Sequence, residues 1–599
     1  MKKIIFSQFI LIFLFQSLSA QYIMYINKND NIALGAKIYS IDSLYFTDNE
    51  TTFNMSLNGN NYEYNSSSID SLSFGEESNT VYIHYDGDEA YITNPYAFEG
   101  VTVEKEGAYV TASATGEIKD IIYELSGNTA NGMFKLYSDK RAYINLNNVS
   151  ITNPTGPAIN SQGNKKVIIY LNDNTTNQLK DGENYSTAPL DGEGEEEDQK
   201  AAVFCEGSIV IDGTGTLNIT GVGDGKNGLA TDDDLEVDNG TLTIISAEKD
   251  GIHAKDGAYF FGGNVTVNSD GDGLDGDEGF IEINGGELTI NSTSDDVKAM
   301  KCDSLLTIND GIVTLSVAGE QSKGIKSDTK VLINGGTVNI NTSGAAVLEA
   351  SGSGYDPSYC TAISCDGDID ITGGNVTIKS TGVAGKGLSS DTDINIEGGT
   401  LNITTTGNGQ KYTNENGEAD SYKSACITSN GDVNILAGNI TLSNSGSASR
   451  SITTDGDLVF GDSENSPVLN ATASGSSIQI SSSWNNSEYD ESKTLKSDGS
   501  ITFYNGTITL SSNDDAIKAD NNITFEGGNI TVTKSVEAVE APYITVNNGN
   551  IDLTSSDDGF NATKGNGGES NDGSLLKITG GTIVVNSSNG DPIDSNGNL

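Results

Sequence analysis

The sequence is poor in basic residues, histidine, proline and tryptophan. Lys and Arg number 32 against 84 Asp and Glu, a formal net charge of −52. A surface of that sign repels phosphate backbones and anionic headgroups, which excludes nucleic acid and anionic membrane surfaces as direct partners. Two histidines, His84 and His253, leave little room for histidine-based catalysis or a histidine-rich metal centre. Eight prolines in 599 residues leave long strands free to donate every backbone N–H. The five cysteines are Cys205, Cys302, Cys360, Cys365 and Cys426. They are odd in number, too sparse for a disulfide framework, and without a CxxC pair. Apolar residues make up 35%, too few for a multi-layer globular enzyme. No phosphate-loop, nucleophile-elbow or dinucleotide motif stands in a credible context.

What is present begins with an address. Lys2 and Lys3 precede an apolar run from Ile4 to Phe15, and Ser19-Ala20 offers a small-residue cleavage site. Residues 1–20 therefore read as a secretory signal peptide, since the run is too short to span a bilayer. No later segment is apolar enough for a membrane span. The mature chain is expected to be secreted or held at the cell surface. Residues 21–78 contain a duplication: Ile41-Asp-Ser-Leu-Tyr-Phe46 returns as Ile69-Asp-Ser-Leu-Ser-Phe74. They read as two small β modules that could dock a surface-anchoring partner.

The rest is a repeat. A Gly, one further residue and alternating apolar residues recur as GTLNI, GTLTI, GNVTV, GELTI, GIVTL, GTVNI and onward to GTIVV. The anchors run from Gly215 to Gly581, mostly 21 to 25 residues apart. About 11 residues before most anchors stands an apolar residue, from Leu229 and Ile252 through Met300, Ile325, Leu388 and Leu495 to Ile593. Often an Asp or Asn follows it three positions later. A unit of that length with short alternating strands cannot bury its apolar residues alone, but stacked units can. The spacing predicts an all-β chain, a right-handed parallel β-helix, with a cap and first rungs over 79–205 and the solenoid over 206–599. No anchor glycine follows the last corner before Leu599, so either a partner covers an open rung or the chain is a piece of a longer product; the second is preferred.

Three longer insertions fall at one phase of the repeat, before Ile363, Ile427 and Leu495, so they are expected on one side. They carry Tyr355 and Tyr359, Tyr412 and Tyr422, and Trp484 and Tyr489. These aromatics either stack on sugar rings or pack their own loops. Two acidic groups suit a hard cation bridging successive rungs. One holds Asp250, Asp270, Asp272, Asp275, Asp277, Asp295 and Asp296. The other holds Asp514, Asp515, Glu537, Glu540, Asp557, Asp558, Asp591 and Asp594. Crowded carboxylates repel unless protonated or bridged, and Ca²⁺ accepts six to eight oxygens in flexible geometry. Between the groups lie Lys298, Lys301, Lys323, Lys326 and Lys386. They either meet the carboxylates of an acidic polysaccharide or pair with neighbouring Asp. A lysine beside Ca²⁺ acting as base in β-elimination is a further alternative.

The order AYINLNNVSITNPTGPAI, NTTNQLKDG, GTGTLNITG, DGIHAKD, DGLDGDEGFIEINGGELTI and GIKSDTKVLINGGTVNI resembles a secreted carbohydrate-binding β-helix family related in fold to polysaccharide lyases. The resemblance covers roughly residues 80–599. It implies a right-handed parallel β-helix, bound Ca²⁺ and binding of plant-wall polysaccharides without established catalysis. It carries Ca²⁺ ligation to Asp250, Asp272, Asp275, Asp295 and Asp296, and puts a metal in doubt where Lys298, Lys323 and Lys386 stand at the equivalent phase. The function expected is extracellular, calcium-stabilised carbohydrate binding. The rivals are a calcium-dependent uronate lyase and a structural surface protein or adhesin.

Overall fold

The alternation of buried and solvent-facing residues every second position becomes strands throughout. The structure, a computed structural model, describes residues 22–114, 116–190, 194–483, 486–565 and 570–599. The expected signal peptide and Trp484 lie outside the described residues. Among the described residues no helix is long and apolar enough to cross a membrane. The chain divides into two units, Met1–Glu248 and Lys249–Leu599.

In the first unit the duplicated segment forms antiparallel sheets. Tyr22–Lys28 pairs with Ile32–Lys37 and Ile69–Glu76, and Ile41–Thr47, Thr52–Leu57 and Asn60–Asn65 form a meander. Met24, Ile26, Phe53 and Met55 make a small core there. Ile32–Lys37 also pairs in parallel with Glu89–Asn94; successive parallel pairing runs from Thr80–Asp86 through Ile121–Thr129 to Ala142–Thr152 and on through Val167–Leu171 and Ile209–Gly213.

The second unit is a parallel β-helix with three strands per rung. The first sheet holds the segments with the buried apolar corner, such as Lys298–Cys302, Lys323–Ser327 and Lys386–Ser390. The second holds short strands such as Leu305–Ile308 and Lys330–Ile333. The third holds the post-glycine strands such as Ile312–Val317 and Thr337–Thr342. Each pairs in parallel with its equivalent one rung on. Apolar residues point inward: Met300, Ile325, Ile363, Leu388, Ile427, Ile452 and Leu495 are fully buried. Phe460, Phe503 and Phe525 stack with centroids 4.9 Å apart and nearly parallel rings. One side-chain type thus repeats at the spacing of the strands.

Two devices turn the chain at the corners. Between the second and third sheets the anchor glycine takes a left-handed conformation, as Gly336 does at φ +73°. A Cβ there would lie 2.8 Å from the Gly311 carbonyl oxygen one rung below, so only glycine fits. After the first sheet, inward hydroxyls satisfy corner carbonyls across rungs: Ser390 Oγ donates to Gly367 O at 2.7 Å and Ser497 Oγ to Gly456 O at 2.7 Å. Cys302 and Cys365 occupy this same inward position. All five cysteines are buried and unpaired, and burial pushes the Cys302 and Cys365 thiols up to about 11.

The three insertions are β-hairpins: Val347–Ser351 with Gly354–Ser358, Gln410–Thr413 with Ala419–Tyr422, and Ile478–Ser483 with Asn486–Asp490. Each leaves the third sheet and re-enters the first. They also join one another, through a parallel bridge between Tyr355 and Asn414 and an ion pair of Lys423 with Asp490. They line the entry edge of the first sheet.

Candidate binding face and cation sites

On the first sheet two positions per rung are not given to the apolar interior, and each forms a column. The position one residue after the buried apolar corner runs in register through His253, Asp275, Lys301, Lys326, Ser364 and Ser389. It continues through Thr428, Thr453, Lys496, Lys518 and Glu540. The position two before the corner runs Lys298, Lys323, Thr361, Lys386, Ala425, Arg450, Lys493. The same position is Asp272 before this run, and Asp515 and Glu537 after it. The face is therefore banded: acidic at both ends, basic inside each end, hydroxyl-rich in the middle, with the hairpins along one side.

The lysines differ in their partners. Lys298 Nζ turns to Asp296, donating to its carbonyl at 2.8 Å. Lys301 Nζ lies 3.8 Å from Asp275, and Lys326 pairs with Asp366 and Asp328. Lys323 instead donates to the carbonyls of Gln321 and Tyr359. Lys386 lies 3.7 Å from the centroid of the Tyr359 ring, a cation–π contact. Among the described residues neither Lys323 nor Lys386 has a carboxylate in ion-pair contact. Burial lowers both, with Lys386 brought down to about 8; the partly buried Lys323 contributes by repulsion to the shift of Lys386.

The hairpin aromatics divide likewise. Tyr355 and Tyr489 are exposed. Tyr422 is buried, set edge-on to Tyr412 at 5.6 Å, with its hydroxyl donating to Gln410. Tyr422 thus packs its own hairpin, and Tyr359 supports Lys386. Asp490 closes the junction of the second and third hairpins: it pairs with Lys423 and with Arg450 Nη2 at 2.6 Å, and accepts from Ser421. Burial opposes its ionisation, but the two cations and the hydrogen bonds prevail and hold it at about 2.

The acidic groups are drawn together in part. At one end Asp250, His253 and Asp275 bring ligand atoms within 4.8 Å of one another. Asp272 lies beside them, and burial pushes its carboxyl up to about 6, with Asp250 and Asp275 adding to the rise. Asp277 faces the other side of the imidazole. Asp270 is exposed on the preceding turn. Asp295 is spent on a turn, accepting from Glu320 N at 2.7 Å, and Asp296 holds Lys298; neither joins the His253 group. At the other end Asp515, Glu537 and Glu540 converge within 4.8 Å. Lys493 pairs with Asp514 and Asp515, and Lys518 with Glu540. Burial and the facing Glu540 raise the Glu537 carboxyl. Asp558 instead accepts from Asp591 N at 2.8 Å, and Asp557 is exposed. The three-carboxylate set offers oxygen only, which fits a hard cation such as Ca²⁺. Two ammonium groups, Lys493 and Lys518, offset part of its charge. His253 is the residue missed by sequence reasoning; its repeat phase, shared with Asp275, was the available signal.

Comparison with known proteins assigns the ligand class. A family model described as carbohydrate-binding domain-containing protein matches residues 106–355, 358–466 and 461–538, well over half of the chain. The chain belongs to this carbohydrate-binding family. A solved structure of a polysaccharide lyase-like protein from C. thermocellum, as a gadolinium derivative, is 24% identical with a TM-score of 0.35, covering 44% of this chain and 96% of that one. No curated protein matches the chain. The matched residues include the first-sheet face from His253 to Lys518 and all three hairpins.

Proposed function

We propose that this carbohydrate-binding chain is exported and holds an acidic polysaccharide along the first sheet, beside the hairpins, with Ca²⁺ at the Asp515–Glu537–Glu540 group stiffening one end. The observation that carries the reading is the pair Lys323 and Lys386. In a chain of net charge −52, two partly buried ammonium groups have, among the described residues, no carboxylate in ion-pair contact, and they flank Thr361 in register. A buried unpaired charge is costly, and a uronate carboxylate would relieve it with charge-assisted hydrogen bonds. Ser364, Ser389, Thr428 and Thr453 continue the row with donors and acceptors suited to sugar hydroxyls. Exposed Tyr355 and Tyr489 offer ring faces from the hairpins.

Lys386 lies four rungs from Asp272 in one direction and four from Asp515 in the other, about 19 Å each way at the strand spacing. It is therefore too far to act as base on a uronate bridged by a cation at either group, and elimination there would fall to Lys301, Lys493 or Lys518, which are paired with carboxylates. The test is retention on cross-linked pectate and on insoluble cellulose, in Ca²⁺ and then in chelator, for the full chain and for Lys323→Ala/Lys386→Ala. Retention on pectate that the double variant loses supports the reading. Absence of retention on both polymers in Ca²⁺ would sink it.

A further inference from the structure

We infer that the Asp250–His253–Asp275 group is a site for a d-block divalent cation of the zinc type, chemically distinct from the oxygen-only group at the other end of the face. The inference stands on geometry within one end of the second unit and does not rest on the carbohydrate reading.

The first argument is the donor set. Imidazole nitrogen suits Zn²⁺ and its neighbours in the first transition row, whereas Ca²⁺ selects oxygen. His253 Nδ1 lies 3.3 Å from Asp275 Oδ2. Two ligands at about 2.1 Å from a tetrahedral ion stand about 3.4 Å apart. The imidazole and carboxylate thus already hold the separation that a shared ion requires, and Asp250 supplies a third ligand atom within the same 4.8 Å.

The second argument is the far side of the ring. A metal-bound histidine usually gives its other ring N–H to a carboxylate, which fixes the tautomer and aims the ligating nitrogen. Asp277 Oδ2 lies 3.9 Å from His253 Nε2, placed for that role after a small ring rotation. The carboxylates are themselves oriented by backbone N–H groups: Asp275 Oδ1 accepts from Asp277 N and Asp250 Oδ1 from Asp272 N, both at 3.0 Å. Side-chain exposure is 7% for Asp250, 9% for Asp275 and 15% for His253, so the site is shielded and held by rung geometry.

The third argument is charge. Four carboxylates, Asp250, Asp272, Asp275 and Asp277, face Lys249 at 3.2 Å from Asp250 and Lys301 at 3.8 Å from Asp275. The carboxylates outnumber these cations, which favours a divalent ion. Lys298, the next cation on the face, is turned away to Asp296.

The experiment uses the full chain stripped with chelator. Zn²⁺ is titrated against a chromophoric competitor, with and without excess Ca²⁺. Cu²⁺ is then used as a spectroscopic probe, because electron spin-echo modulation reports the remote nitrogen of a coordinated imidazole. The expected result is one Zn²⁺ equivalent that Ca²⁺ does not displace, weakened about 100-fold in His253→Ala, with imidazole modulation present in the parent and His84→Ala but absent in His253→Ala. His253→Asp, which restores an all-oxygen set, should exchange zinc preference for calcium preference. Glu537→Gln should leave the zinc equivalent in place, which separates this site from the calcium proposal. Zinc binding indifferent to His253→Ala in a folded variant, or displacement of Zn²⁺ by Ca²⁺ at comparable concentration, would overturn the inference.

Discussion

The ammonium of Lys386 lies 3.7 Å from the centroid of the Tyr359 ring, and among the described residues no carboxylate forms an ion pair with it. The ring faces a charge that Asp391, Asp356 and Asp455 offset only from a distance. Burial favours the neutral amine, which is why this lysine titrates near 8.

The pH dependence follows in sign. Below about 8 Lys386 is charged and attracts a carboxylate; above it the attraction fades. Retention of an acidic polymer should therefore fall as pH rises through about 8, while Lys386→Arg should hold its retention to higher pH. Folding responds oppositely. The folded-state value lies below the unfolded one, so the unfolded chain binds more protons between about 8 and 10.4, and this group's contribution to stability rises over that window. A pectate-retention series across pH checks the first effect and urea unfolding the second.

Asp490 ties two hairpins to the first sheet through Lys423 and Arg450. Asp490→Asn leaves two cations without their partner and should destabilise the junction by about 3 kcal/mol. Because its folded value is held near 2, its stabilisation is complete above about 4 and is lost as pH falls through 2. Hydrogen exchange at Ser421 and Tyr489 should quicken in the variant; unchanged protection would show that the hairpins are held otherwise.

Gly336→Ala meets both a left-handed φ and a carbonyl 2.8 Å from the new Cβ. A loss of about 1–3 kcal/mol is expected. Gly225, at φ +63° with nothing within 4 Å of a Cβ, serves as the comparison and should lose less on the same change. The difference in urea midpoint measures the inter-rung contact apart from the backbone term.

Phe503 sits between Phe460 and Phe525 in the interior stack. Phe503→Ala removes both ring contacts and should cost about 3–5 kcal/mol. Thermal unfolding reads it; a loss below 1 kcal/mol would mean that the neighbouring rungs close the gap.

At the oxygen-only group Ca²⁺ should raise the unfolding temperature of chelator-treated protein, by mass action on the folded state. Glu537→Gln should abolish most of that shift. A calcium effect of full size in the variant would place the ion elsewhere.

The fold was legible because its determinants are local and repeated. Each anchor glycine and each buried corner, from Ile252 to Leu495, recurs at a phase that only stacked rungs can satisfy. The insertions were legible as excess length at one phase, but the joining of one hairpin to the next depends on contacts between distant segments, Tyr355 with Asn414 and Lys423 with Asp490. The acidic groups were visible as dense runs, yet their members separate by side-chain direction: Asp275 faces His253, whereas Asp295 serves a turn. The distinction between Lys326, paired with Asp366, and Lys386, set against Tyr359, comes from rung-to-rung neighbours that linear spacing does not reveal. A single histidine carries no periodicity, so His253 became visible only in register with Asp275.

The glycine corner has a consequence for how such a chain can lengthen. Gly336 leaves no space for a side chain, and its turn spans only 334–336, whereas the equivalent turn between Leu458–Phe460 and Val468–Ala473 spans 461–467 and still keeps its strands paired on both sides. The turn from the third sheet back to the first takes the longer insertions, and all three hairpins enter at that turn. Length can then change by gain or loss of whole coils, which preserves every contact but the one at the joint, or by elaboration at a turn, chiefly the seam that carries the three hairpins. Binding chemistry can diversify along that seam while the stacked strands keep their register, so one scaffold can carry different recognition surfaces without renegotiating its interior.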